Sequence, residues 1–152
     1  MADVVDRATR SRMMAGIRSK NTKAEVEIRK RLFAMGYRYR IHDKRLPGKP
    51  DIVLPRYKAV IFIHGCFWHA HDCYLLKWPL SRMEFWKKKL NRNREKDIEN
   101  NEELKKLGWR ILTIWECSYR SCGKKDWSKI EGIVSRAEKW LLSNNNTGEI
   151  RG

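Results

Sequence analysis

Eight residues limit the fold of this chain more than any other feature. The run Cys66-Phe67-Trp68-His69-Ala70-His71-Asp72-Cys73 places two thiols and two imidazoles in one short segment. A tetrahedral zinc centre needs four thiolate or imidazole donors at roughly 2.0–2.3 Å from the ion. Cys66, His71 and Cys73 supply three from one loop, and spacing alone leaves open which of His69 and His71 ligates. The fourth donor has to come from distant sequence, where Cys117 and Cys122 remain. Cys117 closely follows an Ile- and Trp-rich stretch, Trp109 to Trp115, that reads as a strand, so a rigid element would carry it. Cys122 falls in a predicted loop and is the weaker choice. A disulfide framework is the competing use of four cysteines, and it belongs to exported chains. No apolar stretch follows the N-terminus, so a secretory signal is absent and the cytoplasm is the expected compartment.

The rest of the composition fits one globular domain of 152 residues. Apolar residues make up 41%, which excludes a wholly disordered basic tail. The longest unbroken apolar run, Ala59 to Ile63, is far too short to span a membrane. The formal net charge is +16, and such a surplus repels itself unless something anionic is nearby. Nucleic acid is the leading partner, because each phosphate neutralised releases condensed counterions. Seven Trp strengthen that reading, since flat aromatic faces stack on bases or wedge between them.

Residues 1–20 read as a basic arm with a short helix, and 21–142 as a single zinc-containing domain. Thr22-Lys23-Ala24-Glu25 is a capping box followed by Ala24, Ile28, Leu32 and Met35 at helical spacing, with Gly36 as a stop. Tyr37 to Ile41 alternates like a strand, and Pro47-Gly48 marks a turn. Asp51 to Leu54 and Lys58 to His64 read as two strands joined through Pro55-Arg56-Tyr57. Strand alternation puts Asp51 and Val53 on one face, and likewise Val60, Phe62 and His64. Ser81-Arg82-Met83-Glu84 reads as a second capping box, opening a helix that runs to about Leu107 and closes at Gly108. Asp126 caps a last helix carrying Ile130, Ile133, Val134, Ala137, Trp140 and Leu141. Residues 143–152 read as a frayed tail. The simplest burial of these faces is an α/β fold with a mixed central sheet flanked by helices.

Pro50-Asp51 opening a strand, with a tight turn into a second strand, is the frame of the PD-(D/E)xK nucleases. Their chemistry needs a carboxylate to hold Mg²⁺ against the scissile phosphate. The usual Glu and Lys of the next strand are missing here, where the triplet is Phe62-Ile63-His64. The wider pattern is more specific. It includes Met-Ala-Asp-Val at the start, Ala8-Thr9-Arg10-Ser11, Leu46-Pro47-Gly48-Lys49-Pro50-Asp51 and Val60-Ile61-Phe62. It continues through His64-Gly65-Cys66-Phe67-Trp68-His69, Cys73-Tyr74, Glu84-Phe85-Trp86, Leu107-Gly108-Trp109-Arg110 and Trp115-Glu116-Cys117. On these motifs the chain resembles the very short patch repair (Vsr) endonucleases over nearly its whole length.

The resemblance implies a variant of the PD-(D/E)xK core with a structural zinc. It implies an enzyme that nicks duplex DNA 5′ to the T of a T:G mismatch, the product of 5-methylcytosine deamination, using Mg²⁺. It implies Cys66, His71, Cys73 and Cys117 as zinc ligands, leaving Cys122 spare. Asp51 resembles the Mg²⁺ ligand and His69 the residue that activates water, with His64 and Glu25 as supporting groups. A neutral imidazole suits that task near pH 7. Glu25 also fills the third helical slot of its capping box, and it can serve both roles only through different rotamers. Ile63 stands where familiar members have Thr. Alternation points its side chain away from the Asp51 face, so its main-chain carbonyl is the expected metal contact.

The resemblance also implies that Phe67, Trp68 and Trp86 enter the base stack from the major groove, and that the segment near Met14 approaches from the minor groove. A mismatched step costs less to unstack than a matched one. Lys89 and Asn93, four apart on one helix face, can donate to the acceptors of a displaced T:G pair. The expected partner is double-stranded DNA with a T:G mismatch, with mismatch-repair proteins as further candidates. A monomer is expected, with no membrane association, in the bacterial cytoplasm and on the nucleoid when DNA is bound. The alternative is a zinc-stabilised nucleic-acid binding protein without catalysis, which explains the charge and the cysteines but not Asp51, His64 and His69 together.

Overall fold

The structure is a computed structural model that describes residues 22–66, 69, 71, 73, 81–121 and 124–152. The expectations for the basic arm with Met14, for Phe67 and Trp68, and for Cys122 therefore lie outside the described residues.

Helix α1 (Lys23–Ala34) starts where the capping pattern places it: Thr22 Oγ1 accepts the Glu25 N–H at 3.3 Å. Its apolar stripe, Ala24, Ile28 and Leu32, is buried. Met35 falls past the last helical residue and stays 42% exposed, so the stripe ends one turn earlier than its spacing suggests. Gly36 then takes the left-handed conformation, φ 98°, that turns the chain out of the helix. The strand expected over Tyr37 to Ile41 shrinks to β1 (Arg40–Ile41), because Tyr37 turns into the core and its hydroxyl donates to Glu138 at 2.9 Å.

Strands β2 (Ile52–Leu54) and β3 (Ala59–His64) extend β1 into an antiparallel meander. Their connection is a single 3₁₀ turn, Pro55–Tyr57, closed by Lys58 at φ 51°. Helix α2 (Met83–Lys106) crosses over to β4 (Arg110–Trp115), which lies parallel to β3. A small hairpin of β5 (Arg120–Ser121) and β6 (Lys124–Lys125) follows. Helix α3 (Ile130–Leu141) then returns the chain to β7 (Thr147–Ile150), parallel to β4. Among the described residues the main sheet is mixed, in the order β1-β2-β3-β4-β7. Each parallel pair is joined by a helical crossover, as parallel pairing demands.

The sheet buries both faces. On one side α1 and α3 pack over Ile52, Leu54, Ala59, Ile61, Leu112 and Ile114. The α3 residues read from periodicity, Ile130, Ile133, Val134, Ala137, Trp140 and Leu141, are the buried ones. On the other side Leu104 of α2 covers Val53, Val60, Phe62 and Ile111. Gly48 (φ 77°) lets the loop before β2 lie against that face, since a Cβ there would meet Phe62 Cζ at 3.1 Å and Asn100 Cβ at 3.2 Å. No helix among the described residues is long and apolar enough to cross a membrane.

Two expectations are corrected. The second capping box does not form: α2 begins after Arg82, which is left-handed and gives no side-chain cap. Its guanidinium instead sits 4.3 Å from the Phe85 ring centroid, so cation–π contact holds this helix start. The tail at 143–152 is not frayed, because it contains β7 with Ile150 buried. Arg110 is the physical reason. Its guanidinium donates to the carbonyls of Trp140 (2.8 Å), Leu141 (3.1 Å), Ser143 (2.9 Å) and Asn145 (3.0 Å). Those bonds satisfy carbonyls that the end of α3 leaves open and steer the chain back beside β4.

Candidate active site

The thiol cluster assembles from two places in the chain. Cys66 follows β3 directly, His71 and Cys73 continue the same loop, and Cys117 lies in the 3₁₀ turn (Glu116–Tyr119) after β4. Because β3 and β4 are parallel neighbours with His64 opposite Trp115, both segments leave the same end of the sheet side by side. One donor atom from each of Cys66, His71, Cys73 and Cys117 lies within 4.8 Å of the others. His71 Nδ1 is 3.7 Å from Cys117 Sγ, close to the edge of about 3.6 Å that a tetrahedron built on Zn–N and Zn–S bonds would have. The Cys117 N–H donates to Cys66 Sγ at 3.3 Å, and the Gly152 N–H donates to Cys117 Sγ at 3.3 Å. Such donors stabilise sulfur as thiolate. Burial pushes the Cys66 thiol up while the Cys117 N–H opposes the rise, so the buried donor set is suited to a cation that offsets the burial. Of the two histidines left open by spacing, His71 joins the thiols and His69 does not.

His69 turns the other way. Its Nδ1 is 2.5 Å from Oδ2 of Asp97, in the middle of α2. A carboxylate only accepts, so Nδ1–H donates and Nε2 is the basic nitrogen. His64, the last residue of β3, stacks on His69 with ring centroids 3.8 Å apart and planes 22° from parallel. Burial holds the His64 imidazole well below its ordinary range, and neighbouring His69 adds to this, so His64 is neutral at pH 7. Trp115 joins this arrangement to the thiol cluster. Its ring lies flat on His71 (4.0 Å, 4°) and borders His64 at 5.4 Å. Glu116 braces the same region: Oε1 accepts the Cys66 N–H at 3.4 Å, and Oε2 accepts Arg120 Nε–H at 2.9 Å.

Asp51 lies just before β2, and its Oδ2 accepts the Ile63 N–H at 2.7 Å. Alternation is obeyed. The Ile63 side chain packs toward the α1/α3 core while its main chain faces Asp51. Burial raises the Asp51 carboxyl to about 7, and Glu25 adds to the rise, while the Ile63 N–H opposes it. A cleft of about 410 Å³ is lined by His42, Lys44, Gly48, Lys49, Asp51, Phe62, Ile63, His64 and His69. Asp51, His64 and His69 therefore share one opening, flanked by two lysines. Glu25 is buried behind it, and its Oε2 is 3.0 Å from His42 Nε2 and 3.8 Å from Arg29 Nη1. Glu25 thus joins the helix cap to the cleft: its N–H donates to Thr22 Oγ1, and its Oε2 turns to His42.

Trp86 is half-buried at the start of α2, with the Lys89 ammonium 5.5 Å from its ring centroid. Lys89, Asn93 and Asp97 follow at intervals of four, so one helix face carries the residues predicted to meet bases and ends at the partner of His69. Sequence reasoning missed Asp97 and His42. The four-residue step from Asn93 was a signal for Asp97. His42 had none, because a single histidine in a loop announces no partner.

The amino-acid sequence is similar to those of known proteins. A family model described as DNA mismatch endonuclease Vsr matches residues 2–75. The chain is 42% identical over 150 residues to the DNA mismatch endonuclease Vsr of Escherichia coli K12, covering 99% of this chain and 94% of that protein. It is 49% identical over 121 residues to the type II nicking enzyme V.NmeAIP of Neisseria meningitidis, covering 80% and 86%. It is 42% identical over 123 residues to the type II nicking enzyme V.XorIIP of Xanthomonas oryzae, covering 81% and 90%. With that degree of identity along nearly the full length, the chain belongs to the Vsr DNA mismatch endonuclease family.

Proposed function

We propose that this protein is a Mg²⁺-dependent DNA mismatch endonuclease that nicks the T strand 5′ to the T of a T:G pair. The observation that carries the reading is that Asp51 and His69 line a single cleft, one a half-buried carboxylate and the other an imidazole oriented by Asp97. The match to relatives named as mismatch endonuclease and nicking enzymes supports it.

Asp51 and the Ile63 main-chain carbonyl would hold the Mg²⁺, which when bound supplies positive charge against the scissile phosphate. His69 accepts the proton of the attacking water at Nε2, while Asp97 stabilises the imidazolium at Nδ1. His64, neutral and stacked on His69, fixes that ring without adding competing charge. Lys44 and Lys49 draw the DNA backbone to the cleft mouth. Cys66, His71, Cys73 and Cys117 hold a structural zinc; three thiols and an imidazole make a closed tetrahedral set with no open position for catalysis. Phe67, Trp68 and Trp86 act as wedges at the mismatch, with Met14 approaching from the opposite groove, and Lys89 and Asn93 bond to the displaced pair. The mixed sheet serves as the PD-(D/E)xK core of this arrangement.

The test is a duplex carrying one T:G pair, incubated with zinc-loaded protein and Mg²⁺. The expected product is a single nick on the T strand, with the matched duplex intact. Mismatch binding with no cut at any Mg²⁺ concentration overturns catalysis and leaves a DNA-binding protein.

A further inference from the structure

One histidine has no part in that mechanism. His42 sits between β1 and β2 in a left-handed conformation, φ 47°, which is uncommon for a residue with a side chain. Its N–H donates to the Asp51 carbonyl at 3.3 Å, and its side chain lines the cleft. Glu25, His42 and Asp51 come from α1, the β1–β2 connection and the approach to β2, and one donor atom from each lies within 4.8 Å of the others. Two carboxylates facing each other inside a protein resist joint ionisation unless a cation lies between them. One guanidinium, Arg29, lies 3.8 Å from Glu25 and its charge also reaches Asp51, so a single positive charge is shared between two carboxylates.

We propose that Glu25, His42 and Asp51 form a divalent-cation position with a nitrogen donor, selective for Mn²⁺-class ions over Mg²⁺. The 3.0 Å separation of His42 Nε2 and Glu25 Oε2 equals the cis edge of an octahedron with metal–ligand distances of about 2.1 Å. Mg²⁺ takes oxygen donors and gives up its waters reluctantly, whereas imidazole binds first-row transition metals well. Asp51 contributes to this position and to the Mg²⁺ contact of the proposed nuclease, so the inference deepens that reading and rests on it. The consequence is a nuclease whose metal preference is set by a loop residue outside the strand pair.

The experiment uses the zinc-loaded full chain without DNA and titrates Mn²⁺ by electron paramagnetic resonance, with Mg²⁺ as competitor. Mn²⁺ is expected to bind on the order of tenfold tighter than Mg²⁺ and to show a nitrogen hyperfine coupling. His42→Gln keeps an oxygen donor at that position; it should lose the coupling and most of the preference while circular dichroism shows the fold retained. Glu25→Gln should weaken Mn²⁺ yet keep the coupling. Absence of nitrogen coupling in the unmodified protein overturns the proposal and reduces the His42–Glu25 contact to a structural hydrogen bond. Coupling that survives in His42→Gln also overturns it, because the nitrogen then comes from His64 or His69. A failed T:G nicking assay beside an intact His42-dependent Mn²⁺ signal would refute the nuclease reading and not this site.

Discussion

The two side-chain clusters at the end of the sheet are built in opposite ways. The thiol cluster takes three donors from one loop and closes on Cys117, and the Cys66 and Cys117 sulfurs are buried and braced by main-chain N–H groups. The carboxylate–imidazole cleft brings His42, Asp51, His64 and His69 together at an opening to solvent, with Glu25 buried behind it and Asp97 holding His69. Trp115 touches both, flat on His71 and beside His64. A closed cluster holds structure, while an open one exchanges ligands. In the proposed function the first is structural and the second carries the chemistry.

The largest effect expected from breaking this division is at Cys117. Cys117→Ser should remove the metal and cost at least about 3–5 kcal/mol, because metal binding is folding free energy. Thermal melting and metal content measured together check it. Mild chelation, in contrast, should abolish nicking with no shift in melting and be reversed by Mg²⁺; a matching loss of stability would merge the two clusters into one.

Within the cleft, Asp51→Ala should lower nicking by at least about 10²–10³-fold while mismatch binding persists in a gel-shift assay. His69→Ala should cost about 10²–10⁴-fold at neutral pH. Asp97→Asn should cost about 10–100-fold, since it acts by orienting His69. If His69→Ala released zinc instead, His69 would be a ligand and the division would fail.

Asp51 gives a smaller effect of defined sign. Its carboxyl stands at about 7 in the folded protein against an ordinary 3.8. Between those values the folded protein holds a proton that the unfolded chain has released. Stability due to this group therefore falls as pH rises from about 4 to 7, and the loss is complete above 7. In zinc-loaded, Mg²⁺-free protein, Asp51→Asn should raise stability by about 2–4 kcal/mol at pH 8 and have no such effect below pH 4. Denaturant melts at the two pH values measure it.

The smallest effect tests the scaffold behind both clusters. A Cβ on Gly148 would lie 2.6 Å from the Trp140 ring, so Gly148→Ala should destabilise by about 1–3 kcal/mol through displacement of β7. No change in melting would show that β7 contributes little.

Much of this was legible in the residues themselves. The α1 and α3 stripes, the Thr22 cap, and the β2–β3 and β4 strands follow from periodicity and turn chemistry, because local sequence sets which faces are apolar. The thiol cluster was legible because cysteine and histidine are rare here and three donors are adjacent in sequence. Asp97 and His42 were not, because carboxylates are common along a charged helix and one loop histidine carries no pattern. The Ser81 box failed for a related reason: Arg82 found Phe85, a contact that no capping rule contains.

The amino-acid sequence by itself determined most of the elements, the thiol- and imidazole-rich loop and the family likeness, since each depends on residues near one another in the chain. Spacing left His69 and His71 open and the family likeness pointed to His71; only the tertiary structure decided that His69 faces Asp97, that the Glu25 carboxylate meets His42, and that residues after 143 pair with β4. Those outcomes depend on parallel β3 and β4 leaving the sheet side by side and on Arg110 collecting the carbonyls at the end of α3. Contacts between distant segments are fixed by packing, and local sequence does not encode them.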